Sequence, residues 1–253
     1  MKSGRNIRIQ LGFDGSAYHG WQMQPSQITV QGVLREAIRK ITGEEVNLIG
    51  SGRTDAGTHA RSFVASFVTR SKIPASNLAR ALNSVLPRDV RVYSARQVSK
   101  SFHARRSAQS KVYRYQMYRG PIQPPHLAHE YFHYPYPIDL VLMKQAAALL
   151  VGVHDFASFA AKCGGEKNTV RQIFGCGFKA AGYRLSFTVE GNGFLHHMVR
   201  NLVGTLLEVG RGRMTTAAFQ ALFAQRDRTQ AGFTVPAHGL MLIKVRYPRA
   251  DRE

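Results

Sequence analysis

The chain has 253 residues, of which 35 are Lys or Arg and 15 are Asp or Glu, a formal net charge of +20. That charge points to a polyanionic partner, nucleic acid before an anionic membrane surface. No apolar run approaches the roughly 18 residues of a membrane span, and no h-region follows the basic start Met1–Arg8, so neither a spanning helix nor a secretory signal is expected. Two cysteines, Cys163 and Cys176, exclude a disulfide scaffold and point to the reducing cytosol.

Ile7, Ile9, Leu11 and Phe13 alternate with polar residues and predict a first strand with one buried face, ended by Asp14-Gly15-Ser16. Tyr18–Gln22 carries the only Trp, Trp21, and reads as a loop anchored by one aromatic or packed over a site. Val30, Val33, Leu34, Ala37, Ile38 and Ile41 follow helical spacing, with Thr29 as N-cap and Gly43 just past the end. Strands are expected at Val46–Ile49 and Phe63–Val68, a second helix after Pro74 stopped by Pro87, and another strand from Val90. The order β-α-β-β-α-β is that of a split βαβ, ferredoxin-like half.

Residues Ser99–Ser110 are aperiodic and basic, with Lys100, His103, Arg105 and Arg106, and read as a linker that faces the anion. Lys111–Arg119 alternates again, with Tyr113, Tyr115 and Met117 on one face. A Pro- and His-rich loop follows, whose His126, His129 and His133 lack a Cys or carboxylate set at ligand spacing, so no metal is expected. Then come an Ala-rich helix over Leu140–Leu150 and a hairpin of Val170–Lys179 and Tyr183–Glu190. A strong helix starts near Leu195, a short one covers Phe219–Phe223, and a last strand carries Leu240 and Leu242.

These elements predict an α+β protein of two similar halves, residues 1–104 and 105–253. Their mostly antiparallel sheets are expected to join into one extended sheet with helices on one side and a cleft between the halves.

One stretch concentrates the chemistry: Gly50-Ser51-Gly52-Arg53-Thr54-Asp55-Ala56-Gly57-Thr58-His59-Ala60, a glycine-rich loop between two strands. From Val46 to His129 the only acids are Asp55 and Asp89, against fourteen Lys and Arg. Asp followed two residues later by Gly is also a common turn, so the loop alone leaves a structural and a catalytic reading open. Arg200 falls toward the edge of an apolar helix face, either as a surface residue lying along it or as the partner of a carboxylate such as Asp55. Tyr113 is either core or a ring on which a base stacks. Gly191-Asn192-Gly193 offers a weak anion-nest signal before the helix.

Six ordered blocks carry a family resemblance. They are Phe13-Asp14-Gly15-Ser16 with Tyr18–Pro25, Gly52–Ala60, Phe102-His103-Ala104-Arg105, Lys111–Tyr115, Gly191–Arg200 with Val203-Gly204, and Pro236–Leu240. Together they resemble the tRNA pseudouridine synthase A family over nearly the whole chain. Thr58 stands where that family is expected to have Val, and Phe13 where Tyr is common; substrate contacts are expected to differ in Pro121–Pro137 and Lys162–Asn168.

The resemblance implies isomerisation of uridine to pseudouridine at positions 38, 39 and 40 of the tRNA anticodon stem-loop, by a homodimer, in the cytoplasm, with no cofactor and no metal. It implies Asp55 as the essential carboxylate, Arg200 as its partner, and Tyr113 as the ring that stacks on the uracil and acts on the C5 proton. Arg53 would hold the extruded nucleotide, Leu240 would wall the pocket, and Arg105 and Lys111 would bind substrate. Two other functions fit the composition: an RNA-binding module without catalysis, and a synthase of the same superfamily acting at another RNA position.

Overall fold

In this computed structural model, described over residues 4–161 and 168–248, the chain is α+β and forms two compact units. One comprises Met1–Gln109 with Met241–Glu253, the other Ser110–Leu240. The division expected at 104/105 thus lies at 109/110, and the last strand folds with the first unit. The reason is local. Tyr247 is buried there, its hydroxyl donates to Ala104 O at 2.7 Å, its ring meets Phe102 at 5.2 Å, and Gln109 N–H donates to Arg246 O.

The first unit holds strands β1 (Arg5–Phe13), β2 (Ile49–Gly50), β3 (His59–Thr69) and β4 (Val90–Val98), and helices α1 (Val30–Thr42) and α2 (Ala75–Val85). β1 lies between β4 and β3, antiparallel to both, with Ile9 opposite Ala95 and Ala65. β2 pairs antiparallel with β3 at Ala65 and Ser66. The last strand, β10 (Leu240–Arg246), pairs parallel with β3 at His59 and Ala60. The outer edge of β3 is therefore shared, β2 at one end and β10 at the other. Ile7, Ile9 and Leu11 are fully buried, as the alternation predicts, among Phe63, Phe67, Leu34 and Leu82.

The Thr29 hydroxyl accepts from Gly32 N–H to cap α1, and Gly43 ends it at φ +72°. Both caps follow the sequence reading. The strand expected at Val46–Ile49 is reduced to Ile49–Gly50: Val46 and Leu48 are buried without strand pairing. β3 in turn begins four residues earlier than the apolar run, at His59.

The second unit orders its strands β5 (Ser110–Tyr118), β9 (Arg184–Gly191), β8 (Val170–Ala181) and β7 (Gly152–Asp155), all antiparallel, with β6 (Phe132–His133) parallel to β5. Gly182, at φ +55°, makes the predicted β8–β9 turn. The helices are α3 (Leu140–Ala148), α4 (Met198–Gly210) and α5 (Thr216–Gln225), packed on one another and, through α3, on β8. α4 starts three residues after Leu195, because His197 adopts a left-handed conformation (φ +60°) that a helix interior does not accept. The His133 ring bonds Gly120 O at 2.8 Å, and His126 and His129 are exposed, so His133 serves to pin the Pro-rich loop. Cys163 and most of Lys162–Asn168 lie outside the described residues.

Candidate active site

Asp55 lies in the loop from Ser51 to Thr58 that joins β2 to β3. The loop is held by main chain. Gly57 N–H donates to Tyr18 O at 3.2 Å, Trp21 N–H to Thr54 O at 3.3 Å, and Thr58 N–H closes the turn onto Asp55 O at 3.1 Å. These bonds need the 14–22 segment to approach very closely, and glycines allow it. A Cβ on Gly20, at φ +78°, would lie 2.3 Å from Thr54 O, and one on Gly15 would lie 2.1 Å from Thr58 O. A Cβ on Gly50 would meet the Trp21 ring at 2.5 Å. Trp21 itself is buried and stacks on Phe63 at 4.2 Å, which settles its role as the anchor of this segment.

The turn expected at Asp55 is present, closed by Thr58 N–H on Asp55 O. The carboxylate is half-buried while Ser51, Thr54 and Thr58 around it are buried; Arg53, on the same loop, is exposed. Asp89, the other acid of the basic stretch, is engaged structurally. It accepts the Tyr18 hydroxyl at 2.6 Å, and its main-chain carbonyl accepts Asp14 N–H. Burial first, and this bond second, push the Tyr18 phenol far above its ordinary range.

Arg105 belongs to a different turn of the same unit. Phe102 and Ala104 are buried, Ala104 N–H donates to Ser66 Oγ, and the main-chain N–H groups of Arg105 and Arg106 both donate to His103 Nδ1 at 3.2 Å. Both arginine side chains are exposed. Desolvation, and then the Arg106 charge, lower the affinity of His103 for a second proton, so the ring stays the acceptor that shapes this turn.

In the second unit, Lys111, Tyr113, Tyr115 and Met117 share one face of β5 by strand alternation. Tyr113 is 7% exposed and meets Phe194 edge-on at 5.1 Å. Tyr115 is fully buried and donates to Pro236 O at 2.8 Å; burial raises its phenol, opposed by the Arg200 charge. Both strand tyrosines are buried, Tyr115 completely and Tyr113 at 7% exposure. Arg200, half-buried in the first turn of α4, donates through Nε to Val235 O at 2.8 Å. Leu240 is buried directly after the 3₁₀ turn Ala237–Gly239, whose Gly239 Cα is so close to the Tyr115 ring that a Cβ would lie 2.7 Å from it.

The structure thus brings Arg53 and Asp55 onto one loop and Lys111 and Tyr113 onto one strand face. It joins Arg200 to Leu240 through residues 235–240. Gly191-Asn192-Gly193 is not an open nest: Asn192 N–H and Oδ1 pair reciprocally with Gln172 O and N–H, and α4 begins farther on. Residues that sequence reasoning passed over are the packing glycines Gly15, Gly20 and Gly50 and the polar set Asn201, Arg228 and Thr234. Asn201 carried a signal, as an amide in the middle of an apolar helix face.

The family described as tRNA pseudouridine synthase matches residues 11–105 and 146–248. A tRNA pseudouridine synthase A of Thermoanaerobacter sp. (strain X514) is 45% identical over 96% of this chain and 100% of its own length. That of Caldicellulosiruptor saccharolyticus is 44% identical with the same coverage. Among solved structures, a Cbf5-Nop10-Gar1 complex aligns with a TM-score of 0.37 at 10% identity, covering 93% of this chain and 57% of that one. The family match across both halves, together with full-length relatives at this identity, makes the chain a member of the tRNA pseudouridine synthase family.

Proposed function

We propose that the chain isomerises uridine to pseudouridine at positions 38, 39 and 40 of the tRNA anticodon stem-loop, as a cytoplasmic homodimer. The reaction breaks the N1–C1′ bond, turns the uracil, forms C5–C1′, and moves the C5 proton away while N1 gains one. It is redox-neutral and calls for no cofactor. Asp55 supplies the carboxylate, by attack on C6 or C1′ or by assisting elimination at C2′, and each route uses its ionised form. Arg200 is the cation that pairs with it. Tyr113 stacks on the uracil and handles the C5 proton. Arg53 holds the extruded nucleotide, Leu240 is the apolar wall, and Arg105 and Lys111 contact phosphates. Flipping a paired uracil costs a few kcal/mol, and the basic surface offsets that cost through phosphate contacts.

One observation carries the reading. In a stretch with two acids and fourteen cations, Asp55 sits half-buried on a loop whose backbone is immobilised on both sides. The test is chemical mapping of pseudouridine in an unmodified tRNA with uridine at positions 38–40. The wild type is expected to modify those positions. Asp55→Asn is expected to bind the tRNA with nearly unchanged affinity and to form no product. Product at another position refutes the positional assignment, tight binding without any product by the wild type favours the binding-module reading, and turnover by Asp55→Asn removes that residue from the chemistry.

A further inference from the structure

A segment of the second unit, residues 228–240, has no secondary structure beyond 3₁₀ turns at Arg228–Gln230 and Ala237–Gly239 and the start of β10, yet two of its carbonyls hold side chains, those of Arg200 and the core Tyr115. Val235 O accepts Arg200 Nε, and Pro236 O accepts the Tyr115 hydroxyl. A guanidinium is planar, so a hydrogen bond from Nε–H constrains the orientation of the whole fork. What holds Val235 O in place therefore bears on where the Arg200 charge is directed.

The polar contacts of the segment converge on one buried amide. Asn201, adjacent to Arg200 on α4 and fully buried, accepts through Oδ1 from Arg228 Nη2 at 3.0 Å and from Thr234 Oγ1 at 2.6 Å. Its Nδ2 donates to Phe159 O at 2.7 Å, which fixes the orientation of the amide. Arg228 Nη2 also donates to Thr234 Oγ1, and Nη1 donates to Ala231 O. Gly232 N–H donates to Thr205 Oγ1. Gly204 brings the segment against the helix itself, since a Cβ there would lie 1.7 Å from Phe233 O. A half-buried guanidinium bonded only to uncharged oxygens is an unusual use of a cation; desolvation lowers its proton affinity, and each of these contacts acts on the segment or on the amide that holds it.

We propose that Asn201, Arg228 and Thr234 are positioning residues for the isomerisation, acting through Val235 O to set the orientation of Arg200. The inference rests on the role given above to Arg200. It predicts that disturbing the network slows the chemical step without weakening tRNA binding, and that the loss passes through the Arg200 Nε bond.

The experiment is a double-mutant cycle on the full chain. Thr234→Val and Gly204→Ala are made in the wild type and in Arg200→Lys, which keeps the charge and lacks Nε. Single-turnover rates at saturating tRNA, tRNA affinity and thermal melts are measured for each. In the wild-type background Thr234→Val is expected to slow the step about ten-fold and Gly204→Ala about a hundred-fold, since a displacement near 1 Å has effects of that order. Affinity should stay within about two-fold of the wild type. In the Arg200→Lys background the same changes should have little further effect, because the link is already absent. Equal losses in both backgrounds would overturn the proposal and leave the network a stability device. Folded Thr234→Val at the wild-type rate would overturn it too. Should Arg200→Lys and Arg200→Ala both turn over like the wild type, the role of Arg200 fails first and the inference falls with it.

Discussion

Around Asp55, main chain holds main chain: Gly57 and Trp21 donate to carbonyls across the loop, and Gly15 and Gly20 permit approaches that any Cβ would block. Around Arg200, side chains hold main chain: an amide, a guanidinium and two hydroxyls fasten residues 231–235 to α4. The first arrangement has almost no soft degrees of freedom. The second depends on several rotatable groups keeping their partners. A carboxylate proposed to react must be placed within a fraction of an ångström, and rigid backbone supplies that. A guanidinium oriented through such groups is exposed instead to the loss of any one side-chain bond in the chain that holds it.

The contrast breaks most severely at Gly20. Gly20→Ala forces a left-handed alanine against Thr54 O and is expected to destabilise the protein by about 3 kcal/mol or more and to dislodge the Asp55 turn. Gly43→Ala is the control: its φ of +72° is similar, but no atom lies within 4 Å of the new Cβ, so about 1 kcal/mol is expected. Urea denaturation of the two variants separates close approach from conformational strain, and equal losses would mean that the contact with Thr54 is soft.

Tyr18→Phe removes the side-chain bond from this region to Asp89. At neutral pH about 1.5 kcal/mol is expected to be lost. Because the Tyr18 phenol is raised in the folded state, its contribution is complete below the unfolded value of about 10 and disappears as pH rises above it. Wild type should therefore lose stability faster than Tyr18→Phe between pH 10 and 11. Tyr115, raised in the same direction, remains in both and keeps the variant from becoming flat. Parallel pH profiles for the two proteins would dissociate Tyr18 from the alkaline loss.

The smallest effect has the opposite sign. The Thr58 hydroxyl is buried without a hydrogen-bond partner, so Thr58→Val is expected to stabilise by about 1 kcal/mol at unchanged activity. A loss of stability or of turnover would show that this loop uses a side-chain hydroxyl after all.

Much of this was legible beforehand. The alternation of Ile7, Ile9 and Leu11 set the inner face of β1, Thr29 and Gly43 bounded α1, and the isolation of Asp55 among cations marked its loop. Other features were hidden for physical reasons. An apolar run reports burial and not pairing, so Val46 and Leu48 resembled a strand they do not form. Leu195 continues the helical period of α4, but period is blind to the left-handed turn at His197. Alternation showed that Leu240 and Leu242 belong to a strand and could not tell which edge would receive it. Gly15 and Gly20 read as ordinary turn glycines, because the atoms they make room for lie some forty residues away. Asn201 went unread, since its partners Phe159, Arg228 and Thr234 are remote in the chain.

The placement of β10 has a consequence for synthesis. The edge of β3 at His59 and Ala60, directly after the Asp55 loop, is covered by residues that leave the ribosome only after the entire second unit, a delay on the order of ten seconds. Until then the nascent first unit carries its carboxylate loop next to an open strand edge, the kind of edge that pairs with other chains. A chain stalled or cut before Met241 would retain every residue proposed to react, yet lack the strand that completes the sheet beside Asp55.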